Sequence, residues 1–427
     1  MAPTNRSNDG LLARVNFPLY TVEMITNRHC LVAGGGGSSK TGVANGFEIY
    51  EIYHNGRRFV AEEVIRHETG ANVVMNCAVT SDERRSYVIA GQESHCQMYL
   101  VNLKVVDEEE IAKSKPTTEE ILKRRKSSTK SSGVEAIRSK PVDANANTKH
   151  IKFDIQPGDS VQTDFTAVDP LQRVVRISPN GKLMATGGTD GVVRVWKFPR
   201  MTKLIEFKKH KKEVDDLDFS PDSKKLVSIA KDGLGVVWDI ENEKEWKHLS
   251  WNPPEGTKYL FKRCRFGIFE GKVGKSRLFT IANPFGKVGK QRGYLQAWDP
   301  DTGELTNSVS VDESLASLAV RDDGRFVAIG TMFSGSVSMY IAFSLQKVLH
   351  IPNAHSMFVT GLQFIPMHGD GPPISSSSEA AVVSISVDNK VCIHSLQYRH
   401  TIPAWVAIVC IIVTVFLSFV FCSYIGI

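Results

Sequence analysis

A chain of 427 residues, 42% hydrophobic and 23% charged, has a globular composition, which excludes a fibrous or wholly disordered polymer and leaves room for one large domain or two to three ordinary ones. Its net charge of +6 suits nucleic acid or an anionic membrane surface and does not choose between them. Seven cysteines, an odd number with no Cys-x-x-Cys pair, exclude a disulfide framework and the usual zinc spacings.

No charged-then-apolar leader opens the chain, so nothing directs the large domain to a lumen. The first informative segment is 34–46, six glycines in thirteen residues, between strands expected at 30–33 and 47–53. Gly34-Gly-Gly-Gly-Ser-Ser-Lys-Thr41 imitates a phosphate-binding P-loop and fails as one. Position 39 is Ser where the second glycine belongs, and Gly42 and Asn45-Gly46 follow where a helix must start. So many glycines carry a large entropy cost. They suit a backbone that converges its carbonyls on a small cation such as K⁺, or that lies close against a partner; a merely floppy loop is the plain alternative.

From here a repeat runs along the chain: two short strands about a Gly/Asp turn, the second ending in an aromatic or polar residue. The clearest copies, 183–196 and 226–238, close on Trp196 and Trp238, 42 residues apart, the period of a WD-type propeller blade. The same core recurs at 31–52, 87–103, 278–298, 326–340 and 382–394, which makes seven. Alternating strands such as Val214-Asp-Asp-Leu-Asp-Phe219 precede the cores. The last copy lacks an outer strand, and 11–17 is expected to supply it and close the ring. Residues 106–150, charged, Ser-rich and nearly free of aromatics, read as a disordered insertion in the second blade.

His67, His95, His210 and His355 are scattered through separate copies without a partnered nucleophile, so no bond-making chemistry is expected. Basic clusters at 208–212, 272–277 and 287–292 lack interleaved aromatics and read as solvated loops facing anionic lipid, not as a nucleic-acid groove. The chain ends in 402–425, which holds no charged residue and as a helix is about 36 Å long, enough for a bilayer core of roughly 30 Å. Arg399 and His400 precede it and nothing charged follows, so the domain before it, 1–398, is expected in the cytosol.

Phe17-Pro-Leu-Tyr20, the run from Ala33 through Gly46, Gly91-Gln-Glu-Ser-His-Cys-Gln97, Ala185-Thr-Gly-Gly-Thr-Asp-Gly191, Tyr340-Ile-Ala-Phe-Ser-Leu-Gln346 and the terminal apolar helix together resemble the prolactin regulatory element-binding protein family, over nearly the whole chain apart from 106–150. The resemblance implies an all-β, seven-bladed WD40 propeller with one C-terminal transmembrane helix. It implies a guanine-nucleotide exchange factor, without covalent chemistry, for the small GTPase Sar at the endoplasmic-reticulum membrane, where the COPII coat of ER-to-Golgi transport begins. It gives the Gly-rich loop a structural K⁺ held by the backbone of Gly34, Gly35, Gly36, Gly37 and Gly42, and GTPase contact through Lys40, Thr41, Gly42, Val43, Ala44 and Asn45, with Asn45 central to exchange. His355 matches a further contact position. Fungal members carry Pro where this chain has Ala44. The rival classes are a DNA-binding transcriptional regulator, which the family's name suggests, and a plain scaffold propeller; the terminal helix and the lack of a recognition helix oppose the first.

Overall fold

The computed structural model describes residues 10–37, 42–81, 85–106, 150–254, 257–269, 274–286, 292–367, 378–398 and 404–426. Among the described residues, twenty-eight strands form seven four-stranded antiparallel sheets, arranged as the blades of a propeller. Blades 1 to 6 span 19–68, 76–162, 172–207, 214–248, 259–311 and 315–351. Blade 7 takes three strands from 359–397 and its outermost strand, Leu11–Arg14, from the start of the chain. Leu11 pairs with Cys392 and Arg14 with Lys390, while Val15 and Phe17 are buried with Val383, Ile385 and Ile393. The chain's two ends thus share one sheet, as 11–17 was expected to provide. The ring closes by hydrogen bonds within blade 7 and by apolar burial between blades 7 and 1.

The aromatic position of the repeat does the inter-blade packing. Trp196 of blade 3 lies among Ala78, Ile89 and Cys96 of blade 2; Trp238 stacks on Phe207 with centroids 4.3 Å apart; Trp298 packs on Val227 and Val237. Tyr340, Tyr50 and Tyr99 fill the equivalent place against the preceding blade. Each ring is therefore shared by two sheets, and the seven sheets hold each other upright.

Strand direction sorts every connection onto one of two faces. The loops between second and third strands and those between blades lie on one face; all others lie on the opposite face. The Gly-rich segment, between His29–Gly35 and Asn45–His54, is on the first, here called the loop face. The third strand of blade 7, Lys390–Gln397, runs to the opposite face, and helix α1 (Ala404–Ile425) begins after six intervening residues. Its segment 408–425 is long and apolar enough to cross a membrane. The insertion expected at 106–150 lies, but for its two ends, outside the described residues, and it joins strands His95–Val106 and His150–Gln162 on the face opposite the loop. Of the basic clusters, 208–212 follows the outer strand of blade 3 and so lies on the loop face. Lys208 and Lys209 pair there with Glu206 and Glu245 at 3.3 and 3.1 Å, on the face opposite the one at which strand Lys390–Gln397 ends.

Candidate functional site

The Gly-rich loop is built by crowding. Gly34 pairs with Gly46 and Gly35 with Asn45 across the two strands, and a neighbouring chain segment presses on each side. A Cβ on Gly34 would stand 1.9 Å from the Pro18 carbonyl oxygen, and one on Gly46 would stand 2.2 Å from that of His67. These two glycines are there because three backbones meet with no room for a side chain, which the floppy-loop alternative does not require. Beyond them Gly37 and Gly42 have φ of +87° and +75°, with open space around them; their freedom serves the turn itself.

Asn45 is the keystone of this arrangement, only 5% exposed. Its Oδ1 accepts from the Gly37 N–H at 3.0 Å, and its Nδ2 donates to the carbonyls of Gly37 at 3.1 Å and Gly70 at 3.0 Å. Its own carbonyl accepts from Thr69 N–H at 3.0 Å. A primary amide has two donor hydrogens and one acceptor oxygen, and all are in use. Asn45 therefore ties the rising arm of the loop to its falling arm and both to the 69–75 connection. The amide, expected at a GTPase contact, points its donors inward, and what stands exposed is Gly42, Val43 and Ala44. Lys40 and Thr41 lie outside the described residues.

His355 is likewise inside. It is 2% exposed, with Nδ1 3.1 Å from Asp388 Oδ1 and Nε2 2.8 Å from Ser384 Oγ, which in turn lies 2.9 Å from His394 Nε2. Blade 4 repeats the chain as His210, Asp232, Ser228 and Trp238, with His210 Nδ1 3.3 Å from Asp232 Oδ2 and Trp238 Nε1 donating to Ser228 Oγ at 2.8 Å. His355 is thus the blade's internal strut, where contact with a partner was expected. Burial lowers its pKa, with Asp388 opposing, and burial drives His394 down to about 3. The strut fixes the 352–358 connection and leaves Met357 and Phe358 at the surface.

Those two belong to a group that sequence reasoning missed. Val43, Met75, Phe165, Val168, Leu234, Phe285, Phe333, Met357 and Phe358 are all exposed large apolar residues in loop-face connections, spread around the ring. Met75 and Phe358 also line the mouth of the central channel, a cavity floored by Arg173, Lys262 and Arg263. The available signal was apolar residues inside turn segments, such as Ala167-Val168 before Asp169-Pro170, where no strand pattern calls for them.

The donor set of the loop fits the cation that resemblance implies. Gly34 and Gly35 sit within the strand ladder, whereas Gly36, Gly37 and Gly42 flank the turn; their main-chain oxygens are hard neutral ligands of the kind K⁺ takes. The Gly37 carbonyl keeps a second lone pair beside its bond to Asn45. Among the described residues no cluster of three or more His, Cys, Asp or Glu is placed to hold a metal.

The WD domain, G-beta repeat model matches residues 166–197 and 201–239, within blades 3 and 4. Across the whole length the chain is 34% identical to the guanine nucleotide-exchange factor SEC12 of Mus musculus, over 95% of this chain and 96% of that one. The SEC12 of Rattus norvegicus is 34% identical over the same shares. SEC12-like protein 2 of Arabidopsis thaliana is 26% identical over 58% of each chain.

Proposed function

The chain belongs to the SEC12 family of guanine nucleotide-exchange factors, and on that premise we propose that it promotes GDP release from the small GTPase Sar, from the cytosolic side of the endoplasmic-reticulum membrane. The observation that carries the site is the Asn45-locked loop, which presents Gly42, Val43 and Ala44 exposed on the loop face. In this reading Lys40 and Thr41 also contact the GTPase. Asn45 acts as a positioning residue, and His355 acts through the surface it holds, Met357 and Phe358. A K⁺ ion on the main-chain oxygens of Gly36, Gly37 and Gly42 would stiffen the same turn.

Exchange of this kind breaks no bond. A GTPase holds GDP by its phosphate loop and Mg²⁺, and an exchange factor works by binding the nucleotide-free form more tightly than the loaded one. Linkage makes the effect reciprocal: the factor weakens GDP binding by the ratio by which GDP weakens the factor's binding. A preorganised tip matters because a loop that had to order on contact would lose part of that differential affinity to entropy. Helix α1 would restrict GTP loading, and the coat assembly that follows it, to one membrane.

The test is binding of the full chain, in detergent or vesicles, to Sar that is nucleotide-free, GDP-loaded or GTP-loaded. The reading expects clear preference for the nucleotide-free form. Equal affinity for all three would leave a scaffold, and retention on duplex DNA without affinity for Sar would leave the transcriptional alternative.

A further inference from the structure

Opposite the loop, blades 5 and 6 form a corner that the exchange site does not use. Strand Tyr259–Ile268 ends there with Ile268, followed by Phe269, and the turn after strand Val337–Ile341 brings up Phe343. Phe343 is 67% exposed and Ile268 45%, although both sit at turns where a polar residue would cost nothing. Arg277 lies between the two rings, its guanidinium carbon 4.4 Å from the Phe269 centroid and 5.7 Å from that of Phe343. It donates to the carbonyls of Ala342 and Phe343 at 3.2 and 3.3 Å, so the exposed ring is held at a fixed height by a cation beside it. Exposed Lys275 and Lys347 lie in the turns that carry the corner, and Arg325, in a turn it shares with exposed Asp322, pairs with Glu379 at 3.6 Å.

What covers this corner follows from the path of the chain. Strand Lys390–Gln397 ends on the same face, in the neighbouring blade 7, and exposed Tyr398 stands at the exit. Between Gln397 and the first residue of α1 there are six residues, 398–403, which reach at most about 20 Å when fully extended. The polar headgroup layer alone is roughly 5–8 Å thick on each side of the hydrocarbon core. A tether this short keeps the exit face of the propeller at the bilayer surface. Apolar rings ringed by lysine and arginine match the chemistry of that surface, where aromatic side chains settle at headgroup level and cations meet phosphate.

We propose that the Ile268, Phe269 and Phe343 corner is a second membrane contact, seated in the headgroup layer of the bilayer that holds α1, so that the propeller stands with its loop face turned toward the cytosol. This inference rests on the reading of α1 as a membrane anchor. It fixes the propeller at two points, the tether and the corner, and so sets the direction in which the loop tip faces.

The experiment uses the full chain reconstituted in vesicles of phosphatidylcholine and phosphatidylserine, with p-benzoylphenylalanine placed at position 343 or, on the loop face, at position 358. Both positions are exposed, so neither photoprobe burdens the core. After vesicle flotation and irradiation, the inference expects lipid adducts at 343 several-fold above those at 358. Floating protein with no lipid adduct at 343, with equal adducts at both positions, or with 343 joined to protein instead of lipid would overturn it. Protein that stays at the bottom of the gradient would overturn the anchor reading itself, and this inference with it.

Discussion

Asn45 spends its whole amide on three backbone groups, which makes its replacement informative in two ways. Asn45→Ala leaves the Gly37 and Gly70 groups to water at a cost of about 1–3 kcal/mol, small against a propeller of this size, and frees the loop tip. GDP release is expected to fall to near the uncatalysed rate while circular dichroism stays unchanged. Asn45→Asp keeps the acceptor for Gly37 N–H but sets a carboxylate against two carbonyls, so it is expected to fail as badly as alanine; normal exchange by the aspartate variant would show that the donors do not matter. The importance of this residue was legible only through family resemblance. Its inward aim was not, because Gly70 is 25 residues away in sequence and only the three-dimensional meeting of the two segments reveals the lock.

The buried histidines of blade 7 make a second residue-scale prediction. His394, and in the same direction His355, refuse a proton in the folded state that they accept when unfolded, so their contribution is present above the unfolded value near 6.5. As pH falls below that, the unfolded chain binds more protons and stability drops, by up to about 1.4 kcal/mol per pH unit per histidine, until His394 itself titrates at about 3. Urea unfolding at pH 7, 6 and 5 should show this decline, and His394→Gln should make it shallower. An unchanged slope in the variant would remove His394 as its source.

At the scale of elements, closure of the ring rests on the strand Leu11–Arg14 and the Val15 and Phe17 side chains behind it. Deleting residues 1–18 exposes the edge of Lys390–Gln397 and empties part of the core shared by blades 1 and 7. Cooperative unfolding should move to markedly lower temperature and the protein should associate through the bared edge; an unchanged melting temperature would mean that three strands suffice for blade 7. All seven blades were legible because the repeat states itself in Gly/Asp turns and alternating strands, and the missing outer strand was legible because a closed ring has to find it somewhere. The struts were not: His355 and His210 are single residues in turns, and their Ser, Asp and aromatic partners lie 18 to 39 residues further along. Nothing local in the sequence separates such a strut from a surface histidine.

For the whole molecule, the two faces divide the work. The loop face carries the Asn45 lock and exposed apolar residues in its connections, and the opposite face carries the exit to α1. The period alone reveals neither face; strand direction, counted from the first blade, assigns both. Protease added outside sealed microsomes should digest the propeller and leave only a short fragment containing α1, whereas protection of a large fragment would place the propeller in the lumen. On the proposed reading ion and amide act as one unit at the loop: exchanging K⁺ for Na⁺ should slow nucleotide release by the wild type but have little left to remove in Asn45→Ala, because both would hold one loop conformation.

The central claim is that a fixed loop tip on this propeller drives nucleotide from a GTPase. The most direct measurement is the rate of fluorescent GDP release from purified Sar in K⁺ buffer, with the full chain in vesicles as wild type, Val43→Asp or Asn45→Ala. The account predicts strong acceleration by the wild type, with both variants folded and close to the uncatalysed rate. No acceleration by the wild type, or full acceleration by both variants, would contradict it.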